Sequence, residues 1–414
     1  MSRRVLLCAL MLILVASTVS FAQNQLIIFS WWTAGGEEDG LFALYDVYQA
    51  QHPDVEIVNA TVAGGAGTNA KAVLKTRMLG NDPPDSFQVH GGSELIDTWV
   101  KTGYMEPITD LWKEEGWFDA FPQDLIDMIS YEGEVYAVPA NIHRSNALYY
   151  NVKLFEKYDI EVPTNLDEFF AVAEVFKENG IPALAIGSRN LWEVSHLFES
   201  VIAAVAGPEF YNELFQGKHP WTEPRVVECL KILGRVFDYI NADHPTVTWD
   251  QACGYVLQGQ AAMTIMGDWA KGYFTANDAE PNVDFGSVPS PGTEGIFIVV
   301  TDTFGLPKGA PNRDNAINWL RTLGSVEGQN GFNPKKGSIP ARIDVPTDPY
   351  DVIALSTMED FGKDVLIPSV AHGSAVIDAF ASALNDEMGL YIVERDAEKS
   401  AERLEMQAQD LGLR

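Results

Sequence analysis

Cysteine is scarce in this 414-residue chain: there are three, and Cys8 falls within an N-terminal stretch that reads as a removable leader. The remaining pair, Cys229 and Cys253, is too few for a disulfide scaffold. Export permits one bridge between them; two buried thiols is the other reading. No His/Cys/carboxylate set has the spacing of a structural zinc site, so no metal is expected. Basic residues are also few, with Lys+Arg 28 against Asp+Glu 58 and a formal charge of −30, which becomes −32 once Arg3 and Arg4 leave with the leader. Such a surface repels nucleic acid and anionic membranes, both of which need clustered cations. Beyond the leader no uninterrupted apolar run approaches the ~18 residues of a membrane span. Ala63-Gly64-Gly65-Ala66-Gly67-Thr68-Asn69 lacks the Gly-Lys-Ser/Thr of a phosphate-binding loop. No Gly-x-Ser-x-Gly elbow is present, nor an internal repeat, nor a long Pro/Ser/Gly linker. Nothing in the pattern asks for a cofactor.

The leader itself has Arg3-Arg4, an apolar run from Val5 to Ala16 and a small-x-small cleavage site at Ser20-Phe21-Ala22, so residues 1–22 read as a secretory signal and the mature chain as periplasmic or secreted. Hydrophobic residues at 46%, with 11% aromatic, describe a globular protein. The length exceeds one ordinary core, which predicts two lobes. With no linker between them, the chain is expected to cross from one to the other more than once.

The stretch Ser30-Trp31-Trp32-Thr33-Ala34-Gly35-Gly36-Glu37-Glu38-Asp39-Gly40 follows the β-type run Leu26-Ile27-Ile28-Phe29 and precedes a helical pattern of Leu41, Leu44, Tyr45 and Tyr48. It reads as strand, glycine turn and helix start. In α/β folds ligands bind outside the carboxyl ends of strands. Two indoles there offer flat apolar faces, and Glu37 or Glu38 offers acceptors, which together suit the C–H face and hydroxyl edge of a sugar ring. The plainer alternative packs one Trp in the core and leaves the acids as helix N-terminal charges.

The same logic recurs along the chain. Asp85-Ser86-Phe87-Gln88-Val89-His90-Gly91-Gly92 is a short strand with Gln88 and His90 on one face, near its end. Tyr131 to Pro139 reads as a hairpin, and Ala140-Asn141-Ile142-His143-Arg144 to Asn151 as an extended crossover between lobes. Thr164, with Asp167 three residues on, predicts a helix start. Residues 164–260 are rich in helical periodicity, with Trp192 and His196 one turn apart. Ala261 to Ala270 is a buried strand ending in Gly267-Asp268-Trp269. The apolar run from Ile296 delivers Asp302-Thr303-Phe304-Gly305-Leu306-Pro307 to the far side. Asn312 to Leu323 is a helix, Gly331-Phe332-Asn333-Pro334-Lys335-Lys336-Gly337-Ser338-Ile339-Pro340 a polar turn, and the last 60 residues are mostly helical with a break at Ala371-His372-Gly373.

These motifs, with Met266-Gly267-Asp268-Trp269-Ala270 and Lys308-Gly309, together resemble the extracellular solute-binding proteins of sugar ABC transporters in the maltose-binding-like class, most of all the glucose/galactose/mannose-binding members. The resemblance runs along almost the whole mature chain in family order. It implies an α/β, two-lobe periplasmic-binding-protein fold of type II, with hinge crossings and a central ligand cleft. The lobes would be 23–139 with 297–342, and 140–296 with 343–414. Carried over by position, Trp31, Trp32 and Trp269 wall the sugar, while Glu37, Gln88, His90, His143, Asp302, Lys336 and His372 serve its hydroxyls. Glu38 and Lys335 remain alternatives to their neighbours. The implied ligand is a monosaccharide, glucose foremost and also galactose or mannose; the implied partner is a membrane permease, and the expected state a monomer. One carboxylate can accept from two vicinal hydroxyls. A secreted glycoside hydrolase using Glu37 and Asp302, or the same fold holding an oligosaccharide, are the rival readings. An amino-acid or peptide ligand would ask for an Arg–Asp pair, which the sequence does not offer.

Overall fold

The computed structural model describes residues 24–414; the leader at 1–22 lies outside them. The strands that place the site are β1 (Gln25–Phe29), β2 (Glu56–Asn59), β3 (Ser86–His90), β4 (Ala137–Pro139), β5 (His143–Arg144), β6 (Ala147–Asn151), β7 (Met263–Met266), β8 (Phe285–Pro289), β9 (Ile296–Val300), β10 (Asp302–Gly305) and β11 (Val365–Pro368). The first lobe has a five-stranded sheet in the order β2-β1-β3-β10-β4. Its first three strands are parallel, while β10 runs antiparallel to β3 and β4, setting Asp302 opposite His90. The second lobe carries an antiparallel sheet β8-β6-β7, and a third sheet, β11-β9-β5, lies where the lobes meet.

Two short passages make the hinge. β4 leads to β5 through Ala140-Asn141-Ile142, and β9 leads to β10 through Thr301 alone. β9 belongs to the junction sheet and β10 to the first-lobe sheet, so one nearly continuous strand runs through both. A third segment joins them at Ile339, whose N–H and C=O pair with those of Ile142 at 3.0 and 2.9 Å. All five residues of Ile296–Val300 are buried, as an apolar run at the centre of two packed bodies should be.

The cores follow the same division. One cluster joins residues between Leu26 and Ile142 to residues between Phe297 and Ala354. A second joins residues between Leu148 and Ile298 to residues between Ile367 and Ala408. A smaller third surrounds Trp192, Trp249 and Trp269.

Local structure departs from expectation at several places. Residues 331–336 are not a turn: they complete a helix, Val326–Lys336, with Pro334 inside it. Packing overrides propensity there, because Phe332 sits against Trp32 at 4.7 Å and a Cβ on Gly40 would come within 2.8 Å of its ring. The helix Leu166–Glu178 is capped by Asn165, whose side chain accepts from Glu168 N, rather than by Thr164. Thr164 instead donates its N–H and hydroxyl to the Glu168 carboxylate. Cys229 and Cys253 are both free and buried, in different core clusters.

Candidate functional site

The turn after β1 is pinned from two sides. Trp31 N–H donates to Gln88 Oε1 (3.1 Å) and Trp32 N–H to Ser30 Oγ (3.1 Å). The helix Gly36–Gln51 then starts with Glu37, Glu38 and Asp39 in its first turn, and Leu41, Leu44, Tyr45 and Tyr48 are buried as the periodicity predicts. Here the neighbours that sequence leaves as alternatives separate by burial. Glu37 is half-buried and faces inward while Glu38 is exposed; Lys336 is buried while Lys335 is exposed. Lys336 Nζ donates to Glu37 Oε1 at 2.8 Å.

Nine of the ten residues singled out in the sequence line one interlobe cavity: Trp31, Trp32, Glu37, His90, His143, Trp269, Asp302, Lys336 and His372. Gln88 does not. It stands behind the wall, accepting from the Trp31 backbone and donating Nε2–H to Asp302 Oδ1 at 2.8 Å. Trp192, Trp249, Val300, Gly65 and Ala66 complete the lining. Both Trp192 and His196 lie on the helix Trp192–Phe215, and their spacing of one turn was the only sequence signal that they share a face. Trp249 carried none.

Asp302 is the electrostatic centre. Its Oδ2 accepts from Asn141 Nδ2–H (2.8 Å) and lies 3.2 Å from His143 Nε2, while its backbone N–H is held by Asn141 Oδ1 (2.8 Å). Oδ1 takes Gln88 and lies 3.7 Å from His90 Nε2. With Oδ2 facing Asn141 and His143, the open acceptor capacity of the carboxylate is on Oδ1. Burial opposes its charge, but the His143 hydrogen bond and the positive charges around it win and hold the carboxyl well below the usual range. The two flanking histidines are built alike. His143 Nδ1 bonds Asp268, and His90 Nδ1 bonds Glu94 at 2.7 Å, with Lys71 on the same Glu94 oxygen at 2.7 Å. A carboxylate on one ring nitrogen turns the other toward the cavity. Burial would lower the His143 pKa, yet Asp268 outweighs it and raises it. For Glu37, burial outweighs Lys336 and raises the carboxyl.

The walls are aromatic. Trp269 lies 5.0 Å from the His372 ring, 5.2 Å from His143 and 6.2 Å from Trp192, and Lys336 Nζ sits 5.7 Å over the Trp269 ring. Trp32 answers to both readings offered for it: it packs between Phe304 and Phe332 and also edges the cavity. The indole N–H groups of Trp32 and Trp192 are buried and without a hydrogen-bond partner among the described residues. A buried unpaired donor costs about 1–3 kcal/mol.

His196, Glu199 and His372 form a group the sequence spacing hid, with ligand-type atoms within 4.8 Å of one another. Its geometry argues for bracing. The Glu199 oxygens already accept from Ser145 Oγ, Ser369 Oγ, Val370 N and Ala371 N, leaving no lone pair for an ion, and Ser369 Oγ in turn holds His372 Nδ1 at 2.8 Å.

Three glycines bring the lobes close. A Cβ on Gly36 would lie 2.9 Å from Gly272 O, one on Gly272 2.3 Å from Lys336 O, and one on Gly337 2.4 Å from Asp268 O. The remaining cavity measures about 20 Å³, on a scale where a single water takes ~10–15 Å³. A pyranose enters only when the lobes part or Lys336 separates from Glu37.

Two lobes joined by crossing strands, with a polar and aromatic cavity between them, define a ligand-capturing protein of the maltose-binding-like type. The family model for bacterial extracellular solute-binding proteins matches residues 24–330, and the chain belongs to that family. An uncharacterized ABC transporter extracellular-binding protein of Pyrococcus horikoshii is 42% identical over 382 residues, covering 91% of this chain and 86% of the relative. A probable sugar-binding periplasmic protein of Brucella suis is 30% identical over 386 residues, covering 92% and 90%. Among solved structures, the bacterial solute receptor AcbH, described as having an exclusive preference for β-D-galactopyranose, superposes with a TM-score of 0.84 at 18% identity over 94% of this chain and 100% of that one. No helix among the described residues is long and apolar enough to cross a membrane.

Proposed function

We propose that the chain is the sugar receptor of an ABC importer: it captures a monosaccharide, glucose foremost and also galactose or mannose, between lobes 23–139 with 297–342 and 140–296 with 343–414, and presents it as a monomer to the membrane permease. The observation that carries the reading is the joint lining of one cavity by indoles from both lobes, a buried carboxylate and a buried ammonium. Trp31, Trp32 and Trp269 give the ring its walls, and Trp192 joins them. Asp302 Oδ1 accepts a hydroxyl, Glu37 and Lys336 exchange their mutual bond for bonds to the guest, and His90, His143 and His372 orient the remainder. Micromolar affinity is about −8 kcal/mol; over the roughly twelve heavy atoms of a hexose that is about −0.7 kcal/mol per atom, inside the bound for small ligands. Wrong epimers are rejected because they strand a buried donor or acceptor.

Hydrolysis fits the site less well. Glu37 is paired with Lys336, and the Asp302 carboxyl is held ionised by groups that already occupy most of its lone pairs. Asp302 is therefore no proton donor, and Glu37, although burial raises its carboxyl, has Oε1 engaged by the Lys336 ammonium. Thermal shift and calorimetry with glucose, galactose, mannose and xylose test the reading: at least one sugar should stabilise the protein with a Kd in the micromolar range or below. Release of reducing ends from oligosaccharides over many turnovers would instead establish the hydrolase.

A further inference from the structure

The loop that brings His372 to the sugar cavity is held by groups that do not line that cavity. It spans 369–375, just after β11, and is wound on Ser369. The Ser374 and Ala375 N–H groups both donate to Ser369 O at 3.0 Å, and the His372 N–H donates to Ser369 Oγ at 3.3 Å. The buried Glu199 carboxylate, from the helix Trp192–Phe215, sits at the start of the loop. Its Oε2 accepts from Val370 N–H at 2.8 Å and from Ala371 N–H at 3.0 Å, Ser369 Oγ reaches both oxygens at 3.0 Å, and Ser145 Oγ donates to Oε1 at 2.7 Å. One carboxylate thus fixes two consecutive peptide groups and the hydroxyl about which the rest of the loop turns.

The far end of the loop meets the other core. Ser93 N–H donates to Ser374 O at 3.0 Å, and Glu94 N–H donates to Gly373 O at 2.9 Å. Gly92 permits the approach: its φ is +96°, and a Cβ there would lie 2.4 Å from Ser374 O. Leu95 and Trp99, which follow Glu94, belong to one hydrophobic core, whereas Val370 and Val376, on either side of the bonded carbonyls, belong to the other. The two backbone bonds therefore tie lobe to lobe. They lie beside side chains of the sugar cavity, since Glu94 holds His90 Nδ1 and the His372 ring stands 5.4 Å from His90 and 5.0 Å from Trp269. Parting the lobes breaks both bonds and separates the two histidine rings.

We propose that 369–375 is the latch of the closed form and that Glu199 is its positioning residue: it does not meet the sugar, but by fixing the carbonyls of Gly373 and Ser374 and the ring of His372 it sets how slowly the closed receptor opens. This rests on the sugar-receptor reading and adds to it the group that governs release.

Stopped-flow tryptophan fluorescence, with the sugar that the calorimetric panel identifies, reads the two rates separately, because Trp31, Trp192 and Trp269 line the cavity. Sugar leaves a closed cavity only after opening, so loss of the latch acts on koff. Expected for Glu199→Ala is a koff about tenfold higher or more, with kon within about threefold of wild type. Glu199→Gln should recover most of that loss: its oxygen keeps the Val370 and Ala371 N–H groups, and its NH2 meets the Ser145 and Ser369 hydroxyls, which can turn to accept. Gly92→Ala, on the opposite lobe, should raise koff as well, and in the double variant with Glu199→Ala the two effects should fall short of their product, as they do when both act on one contact. Ser369→Ala takes the place of Glu199→Ala if that variant does not fold. An unchanged koff in the single variants, effects that multiply in the double variant, or a Gln variant as fast as the Ala variant overturns the latch and leaves the sugar receptor standing. No binding of any sugar by the wild type removes both.

Discussion

Replacing Asp302 by Asn removes one charge and exchanges one oxygen for an amide, at nearly constant shape. In the folded protein Oδ1 faces the Gln88 amide and Oδ2 faces the Asn141 amide and His143 Nε2. Whichever way the new amide turns, its NH2 meets a donor, so one hydrogen bond is lost and one buried donor is stranded, at about 1–3 kcal/mol. The Lys336 ammonium loses a counter-charge but keeps Glu37, and His143 keeps Asp268, so the cost stays below the ~3–5 kcal/mol of a fully broken buried pair. The expected loss of stability is therefore about 2–3 kcal/mol, read as a lower urea midpoint at unchanged slope. Binding loses one hydrogen bond between a hydroxyl and a charged acceptor, worth about 1.5–3 kcal/mol, which is roughly a 10- to 150-fold rise in Kd for the best sugar. Calorimetry well below the variant's melting temperature separates the two effects. A folded Asp302→Asn protein that binds the sugar within threefold of wild type would show that the carboxylate is structural and refute its place in recognition.

Other consequences follow from neighbouring features. Gly272→Ala should hold the lobes apart by its clash with the Lys336 carbonyl, raising Kd tenfold or more while the unliganded melting temperature moves by only a few degrees, because each lobe keeps its own core; full affinity in this variant would contradict the close-approach account. Glu193 is buried, and burial pushes its pKa up to about 8 against weaker opposing interactions with Asn190 and backbone N–H groups. In the unfolded chain it ionises near ~4.3, so the fold is penalised above that pH and most of all above 8. Glu193→Gln should therefore raise stability at pH 8 by a few kcal/mol, fading toward pH 4; a loss at pH 8 would refute it. His196 is buried with its pKa pushed down to about 3 by desolvation, and His372 is lowered for the same reason, reinforced by the charges nearby. Both stay neutral in the fold while the unfolded chain takes up protons below ~6.5, so stability should fall as pH drops through 6 toward 4. Replacing His196 by Gln should flatten that slope in pH-dependent urea unfolding.

The turn that opens the protein was legible because strand ends and glycine turns carry short-range signals. So was His90 at the end of its β run; Asp302 and Trp269 also follow β runs, but it was the family resemblance that marked them for the site. These residues owe their positions to a few neighbours in the chain. Gln88 was legible as near the site but not as a brace, since only the pairing of β3 with β10 shows which carboxylate it meets. The polar stretch at 331–336 misled because proline and glycine outweigh a helix in any local reckoning, whereas Trp32 and the helix Gly36–Gln51 supply the burial that forms one.

Composition and pattern by themselves determined an acidic, two-lobed α/β chain with its polar and aromatic groups at strand ends, because alternation, periodicity and charge are properties of short segments. Only the tertiary structure decided that Lys336 rather than Lys335 faces Glu37, that Trp192 and Trp249 join the walls, and that Glu94 and Asp268 back the two histidines. Those choices arise from bringing together segments remote in sequence through hinge strands that permit one register, and no local rule encodes the meeting of two surfaces.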